Sequence, residues 1–397
     1  MTQAPNVYDA ESIPAEALAA IENLMRSGDL FRYTSTAESP VALLEREFAE
    51  MMGAKYALAV SSCSSALFLS MRALDLKPGA RVLIPAFTFA AVPSAVVHAG
   101  CEPVLVDVGD NFRINLADFA EKLPGAGAVI ISHMRGHTSD MDLVMQLADA
   151  AGIPVIEDAA HSLGTVWNGR KIGTIGKIGC FSFQSYKLVN AGEGGILITD
   201  DADIAARATI MSGAYEHNWK KHDGLADACE RWQNELPLYN MRLQNVSAAV
   251  IRPQLPLVED RARAGLRNHD QVARALNQSP WLHVPPPLPQ ETRAPDSLQF
   301  LLQDFTDAEA LAFQDAAKKR GISVQVFGLS KDNARAFWNW KFIGPQGDLP
   351  GTKAMLRKAV DTRLPARLTE GDCDFIARAI LSAAAEIKES VSVVAAE

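Results

Sequence analysis

Between Tyr56 and Thr199 the chain alternates short, unbroken apolar runs with stretches of helical period, and this constrains the fold more than any other feature. Tyr56–Val60, Arg81–Ile84, Pro103–Val106, Ala128–Ser132 and Pro154–Glu157 read as strands. Cys180–Phe183 and Gly195–Thr199 add two more. Helices are expected over Ser64–Leu74, Thr88–His98, from an Asn115 cap to Leu123, and over Met141–Ala151 before Gly152. Continuous apolar strands separated by helices predict an α/β fold with a largely parallel sheet covered on both faces.

The flanks read differently. A first helix is expected from Pro14 to Arg26, with Leu18, Ile21 and Met25 as its buried face and Leu24 at the edge. A second begins at Ser39-Pro40, carries Val41, Leu44 and Phe48, and stops at Gly53. From about Pro253 prolines punctuate the chain and the periodicity becomes mixed. A boundary near residue 255 is expected to divide a large α/β domain, 1–255, from a smaller C-terminal α+β domain, 256–397. Residues from Lys388 onward read as a frayed tail.

Composition narrows the function classes. The net charge is −9, which argues against nucleic acid as a partner, because phosphate binding needs clustered basic charge. The 5 cysteines, at 63, 101, 180, 229 and 373, form no CxxC pair, so neither a disulfide framework nor a structural zinc site is expected. A reducing cytoplasm suits that usage. The first residues lack the basic and apolar regions of a secretory leader, and no apolar run is long enough to span a membrane.

Several local patterns carry little chemistry. Gly173, Gly176 and Gly179 are spaced GxxGxxG, which is not the dinucleotide fingerprint. His133 and His137 have the spacing of a zinc helix, but Met134-Arg135-Gly136 lacks the glutamate of that motif, so they read as loop histidines. More informative is Val155-Ile156-Glu157-Asp158-Ala159-Ala160-His161, with a carboxylate at the C-terminal end of a buried strand, where open α/β sheets bind ligands. By itself Asp158 reads equally well as a helix cap. Lys187, just past another strand, reads by itself as a solvated lysine. Taken together they suggest a pyridoxal phosphate site, which needs a lysine for a Schiff base and a carboxylate opposite the pyridinium nitrogen. The turn Ser61-Ser62-Cys63-Ser64-Ser65 at a helix start offers hydroxyls and N–H groups for a phosphate.

At these residues the chain resembles the DegT/DnrJ/EryC1/StrS (sugar) aminotransferases, which are fold-type I pyridoxal phosphate enzymes. The resemblance runs from about residue 12 to 388. It is carried by Ser62–Leu67, Ile84–Phe89, Gly136–Asp142, Glu157–His161, Phe181–Ser182–Phe183 with Lys187, Gly192–Gly195, Tyr239–Arg242 and Leu364-Pro365. It implies a mostly parallel sheet in the large domain. It also implies that Lys187 would hold the cofactor and Asp158 would pair with its ring nitrogen. Phe89 would stack on the ring with Ala160 on the other face, and His161 would lie near the phenolic oxygen, where many relatives have glutamine. Ser64, Ser182 and the Ser65 N–H would bind the phosphate, and Asn240 would reach it from the neighbouring subunit of a homodimer with shared active sites.

Two departures bear on specificity. Relatives commonly read Ser-Gly-Thr at Ser62-Cys63-Ser64, and many carry a histidine or asparagine and a proline where this chain has Gln184-Ser185-Tyr186. The resemblance implies transfer of an amino group from L-glutamate or L-glutamine, through pyridoxamine phosphate, to a keto sugar, often nucleotide-linked, or a ketocyclitol. Lys187 argues against the deoxygenating branch, whose members typically carry histidine there. A dehydratase or other lyase of the same family and a non-catalytic regulator are the alternatives. Gln325-Val326-Phe327 and Trp338-Asn339-Trp340 are candidates for lining the acceptor pocket, with burial of the tryptophans in the core as the preferred reading.

Overall fold

The computed structural model describes residues 4–34 and 38–394, with side chains to residue 390. Helix α1 (Ala15–Ser27) and helix α2 (Pro40–Met52) come first. The Ser39 hydroxyl caps α2 by accepting from Ala42 N–H, and Gly53 ends it in the left-handed conformation that a glycine adopts without strain. Then follow β1 (Tyr56–Val60), α3 (Cys63–Ala73), β2 (Arg81–Pro85), α4 (Ala91–His98), β3 (Glu102–Val106) and α5 (Leu116–Lys122). Asn115 caps α5 through Ala117 and Asp118 N–H. The alternation continues with β4 (Ala128–Ser132), α6 (Met141–Ala150), β5 (Val155–Asp158), the short β6 (Val166–Trp167) and β7 (Arg170–Lys171), β8 (Ile178–Ser182) and β9 (Gly195–Thr199).

Among the described residues these strands form a seven-stranded sheet in the order β1-β9-β8-β5-β4-β2-β3. The pairs β2–β3, β2–β4, β4–β5 and β5–β8 are parallel, and only β9 runs against its neighbours. The mostly parallel α/β fold expected from the alternation is therefore present. Apolar clusters cover both faces, one around Phe48, Phe181, Phe183 and Ile131, the other around Leu67, Val82, Ile130 and Ile156. That double burial is why the strands are continuously apolar.

The chain continues through α7 (Ala202–Gly213), α8 (Ala226–Trp232), α9 (Asn245–Ile251) and the long α10 (Val258–Leu276), which follows a 3-10 segment, Arg252–Leu257. A second sheet, in the order β10-β12-β14-β13, is wholly antiparallel. Its strands are β10 (Leu282–His283), β12 (Ser297–Leu302), β13 (Gln325–Val326) and β14 (Ala359–Arg363), while β11 (Glu291–Thr292) pairs with β6. Helices α11 (Asp307–Lys319), α12 (Pro350–Lys358) and α13 (Glu370–Val394) complete this C-terminal part.

Two sequence expectations are corrected. Helix α1 buries Ala17 and Leu24, while Leu18 is 70% and Met25 57% exposed. The helix packs on α9, with Ile21 half-buried and only Leu18 and Met25 of the expected face turned outward. The chain past Lys388 is also not frayed through its described part, because α13 continues to Val394. Lys388 Nζ lies 3.0 Å from Glu309 Oε1 and over the Phe305 ring, which anchors that end on α11. No helix among the described residues is long and apolar enough to cross a membrane.

Candidate active site

The parallel strands β4, β5 and β8 end side by side, and their register aligns Ser132 with Asp158 and Asp158 with Cys180. Strand β5 extends one residue beyond expectation, so Asp158 is its last member. Ser132 Oγ donates to Asp158 Oδ2 at 2.7 Å, and Ala160 N–H donates to Oδ1 at 3.2 Å. Asp158 does not cap a helix. It is held by these donors and lines a cavity of about 550 Å³ at the C-terminal edge of the sheet.

Lys187 lies in the β8–β9 connection. Phe183 N–H to Gly194 O, Ser185 N–H to Gly192 O and Ala191 N–H to Phe183 O fold this loop back on itself. The amine projects into the same cavity, so the solvated reading of this lysine does not hold. Its Nζ lies 2.7 Å from His161 Nε2 and 3.1 Å from Nδ1. Burial lowers the Lys187 pKa to about 8, with Arg135 acting in the same direction and Asp296 and Asp158 opposing. An amine so tuned is unprotonated in part at neutral pH and can act as nucleophile or base.

Of the residues singled out in the sequence, Ser64, Phe89, Asp158, Ala160, His161, Ser182 and Lys187 all line this cavity. Ser65 does not. Its N–H donates to Ser62 Oγ at 3.0 Å, because Ser62 is the N-cap of α3, so a phosphate would compete with that cap. Asn240 is exposed and outside the cavity, although its neighbour Met241 accepts from Ser61 N–H at 2.8 Å in the same chain. Gly195 is required here: a β-carbon on it would fall 2.4 Å from Cys63 N, so β9 can pass this close to the turn only as glycine. Cys63 Sγ lies 3.9 Å from Asp158 Oδ1, and burial together with that carboxylate pushes its thiol pKa well up.

The remaining motifs have structural partners. Glu157 is fully buried and accepts from Gly173, Ile175 and Gly176 N–H at 2.9, 2.7 and 2.6 Å. It also lies 3.0 Å from His133 Nε2, which ties the glycine-rich loop to the loop after β4. His137 Nε2 is 2.9 Å from Gln299 Oε1. Gln325 lines the cavity, whereas neither tryptophan of Trp338-Asn339-Trp340 does. Trp340 is buried and donates to Ala334 O at 2.9 Å.

The fold adds functional candidates that the sequence reading missed. Arg135, at the left-handed φ of 56°, reaches Asp361 at 2.5 Å. Arg335 lies over the Phe89 ring, and Arg363 lies over the Tyr186 ring and donates to Tyr186 O. Among the described residues neither Arg335 nor Arg363 forms an ion pair, and the Nε of each is buried without a hydrogen-bond partner. Burial lowers Arg335 to about 10, with Arg135 adding to the effect. Arg363 directly precedes Leu364-Pro365, which was its one available signal, and Arg135 lay between the two histidines weighed as metal ligands.

The residues present fit pyridoxal phosphate. A fixed carboxylate, an amine of lowered pKa and the hydroxyls of Ser64 and Ser182 all line the one cavity, with Ser64 in the first turn of α3, where a helix N-terminus favours an anion.

Comparison with known proteins gives a family model, the DegT/DnrJ/EryC1/StrS aminotransferase family, matching residues 11–381. The chain is 31% identical over 283 residues to the spore coat polysaccharide biosynthesis protein SpsC of Bacillus subtilis (strain 168), covering 70% of this chain and 71% of that one. It is 36% identical over 219 residues to a UDP-N-acetyl-3-dehydro-α-D-glucosamine 3-aminotransferase of Acidithiobacillus ferrooxidans, spanning about half of each chain (54% and 55%). A crystal structure of 3-amino-5-hydroxybenzoic acid synthase has the same fold, with a TM-score of 0.85 at 24% identity over 97% of this chain and 100% of that one.

Proposed function

The chain belongs to the DegT/DnrJ/EryC1/StrS aminotransferase family, and on that premise we propose that it moves an amino group from L-glutamate or L-glutamine to a keto sugar at the cavity beneath Lys187. The observation that carries this reading is the convergence of Lys187 and Asp158 on one cavity at the C-terminal edge of the sheet. Pyridoxal phosphate, when bound, supplies an electron sink for the pair left when the substrate α-proton departs. Lys187 holds the cofactor and, once free, carries that proton at Nζ. Asp158 keeps a proton on the ring nitrogen. Phe89, Ala160 and His161 would hold the ring, and Ser64 and Ser182 would take the phosphate, since all five line the cavity.

The relatives' names support a keto-sugar acceptor. Arg335 and Arg363 line the cavity with each Nε buried and without a hydrogen-bond partner, which supports a carboxylate-bearing donor even though Asp361 and Asp296 lie near enough to act on both. We further propose a homodimer in which Asn240 enters the partner's phosphate site. Its exposure, and the outward apolar residues Leu18 and Met25, support that arrangement. The five buried, unpaired cysteines support a reducing cytoplasm. The second sheet and its helices support a smaller domain from about residue 256.

The test is spectroscopic. The purified full chain loaded with pyridoxal phosphate should be yellow, its visible band should bleach on addition of L-glutamate, and a panel of keto-sugar nucleotides and ketocyclitols should restore it. A protein that takes up no pyridoxal phosphate, or whose band ignores every amino donor, would overturn the reading.

A further inference from the structure

Asp296 sits immediately before β12, far in sequence from the lysine, yet it is buried within the same cluster. Its Oδ2 lies 3.4 Å from His161 Nδ1, and its Oδ1 accepts from Ser297 Oγ at 2.9 Å. The imidazole lies against both groups: the Lys187 nitrogen is 2.7 Å from Nε2 and 3.1 Å from Nδ1, and the carboxylate reaches Nδ1 alone. Resting on the function proposed above, we infer that Asp296 is a positioning residue for Lys187, acting through His161. It draws the single imidazole proton to Nδ1, so that Nε2 presents a lone pair to the lysine nitrogen.

A carboxylate only accepts hydrogen bonds, so the ring nitrogen facing it must carry the proton. A neutral ring has one proton, so the other nitrogen is then an acceptor. Burial and the Lys187 charge hold His161 at about 3, so the ring is neutral at physiological pH. An accepting Nε2 takes a hydrogen bond from the lysine N–H and leaves the amine lone pair to face the cavity. The opposite tautomer would set the Nδ1 lone pair against the carboxylate and let Nε2–H tie up the amine lone pair.

Every charged group facing the cluster enters the pH behaviour. Lys187 meets Asp296, Asp158 and Cys63, which raise its pKa, and Arg135, which lowers it. Despite its burial, Asp296 is held far below the ordinary carboxylate range by His161, Lys187 and Arg135, and Arg335 and Arg363 also face it. Removing its charge therefore lowers Lys187 further.

The experiment uses the full chain, with and without pyridoxal phosphate. Nitrogen-15 histidine spectra, with His161 assigned through His161→Gln, report the tautomer. Mass-spectrometric acylation across pH reports the Lys187 titration in the cofactor-free chain. Wild type should show Nδ1–H and an unprotonated Nε2. Asp296→Asn should place proton density on Nε2 and lower the Lys187 midpoint by about one pH unit, a tenfold change. Asp296→Ser, which supplies no amide, carries the same expectation should the asparagine variant fail to accumulate, and Asp296→Glu should retain the wild-type tautomer. A protonated Nε2 in wild type, or a tautomer unmoved by loss of the carboxylate, would overturn the inference. Neither readout needs turnover. A chain that shows the Asp296-dependent tautomer but transfers no amino group would therefore sink the proposed function while leaving this one standing.

Discussion

Glu157 and Asp158, consecutive residues of β5, send their carboxylates in opposite directions. Glu157 clamps three backbone N–H groups of the glycine-rich loop and His133, while Asp158 lines the cavity that holds Lys187. Strand alternation turns one acid into the structure and its neighbour to the cavity.

The functional half of that pair is tested by Asp158→Asn. Size and the hydrogen bond from Ser132 are retained while the charge is lost. The half-reaction with the amino donor should slow by about 10²–10³, as for removal of one electrostatic contact at a developing charge, while cofactor affinity falls only modestly. Single-turnover absorbance measurements check this. A near-normal rate would mean that another group serves the ring nitrogen.

The structural half is tested by Glu157→Gln. Replacing a buried carboxylate that accepts from three backbone N–H groups should cost about 1.5–3 kcal/mol of stability, the worth of hydrogen bonds to a charged group, read as a lower denaturation midpoint. Despite burial, hydrogen bonds from His133 and the loop hold the Glu157 pKa below its ordinary value. A depressed carboxylate stabilises above its unfolded pKa and loses that contribution as pH falls through the folded one. The gap between wild type and variant should therefore be full at neutral pH and close in acid. A constant gap down through that range would show that the charge of Glu157 is not what matters.

Arg335→Gln and Arg363→Gln probe the donor site. Losing a charge-assisted hydrogen bond is worth about 1.5–3 kcal/mol, so each should raise KM for L-glutamate at least tenfold with little change in kcat. Binding of an unreactive dicarboxylate such as succinate, followed by the cofactor band, should weaken in parallel. Unchanged succinate affinity in both variants would remove these arginines from carboxylate recognition.

The proposed shared site predicts complementation between two impaired parents. Lys187→Ala and Asn240→Ala, each impaired alone, should on subunit exchange recover roughly a quarter of wild-type activity. About half the dimers are then mixed, and each mixed dimer has one intact site. No gain over the parents, with exchange verified by mass spectrometry, would place Asn240 and Lys187 in the same chain's site.

The strand alternation was legible because doubly buried parallel strands must be apolar throughout, a local signature. That Asp158 and Lys187 meet at one cavity was legible for a related reason, since each lies at or just past a strand end that the apolar run marks. The first helix was misread because periodicity reports an apolar stripe without saying what covers it, and α1 turns Ala17 and Leu24 inward in place of Leu18 and Met25.

What the sequence by itself determined was therefore the sheet and the residues that lie at its strand ends, because backbone periodicity and burial act over a few neighbouring positions. Only the tertiary structure decided that Asp296, Arg335 and Arg363 join Lys187 and Asp158. It also decided that Ser65 N–H serves the Ser62 cap, and that Glu157 faces away from the site. The reason is physical. A side chain's partners across more than a hundred residues depend on how the second sheet docks against the first, and no local pattern encodes that docking.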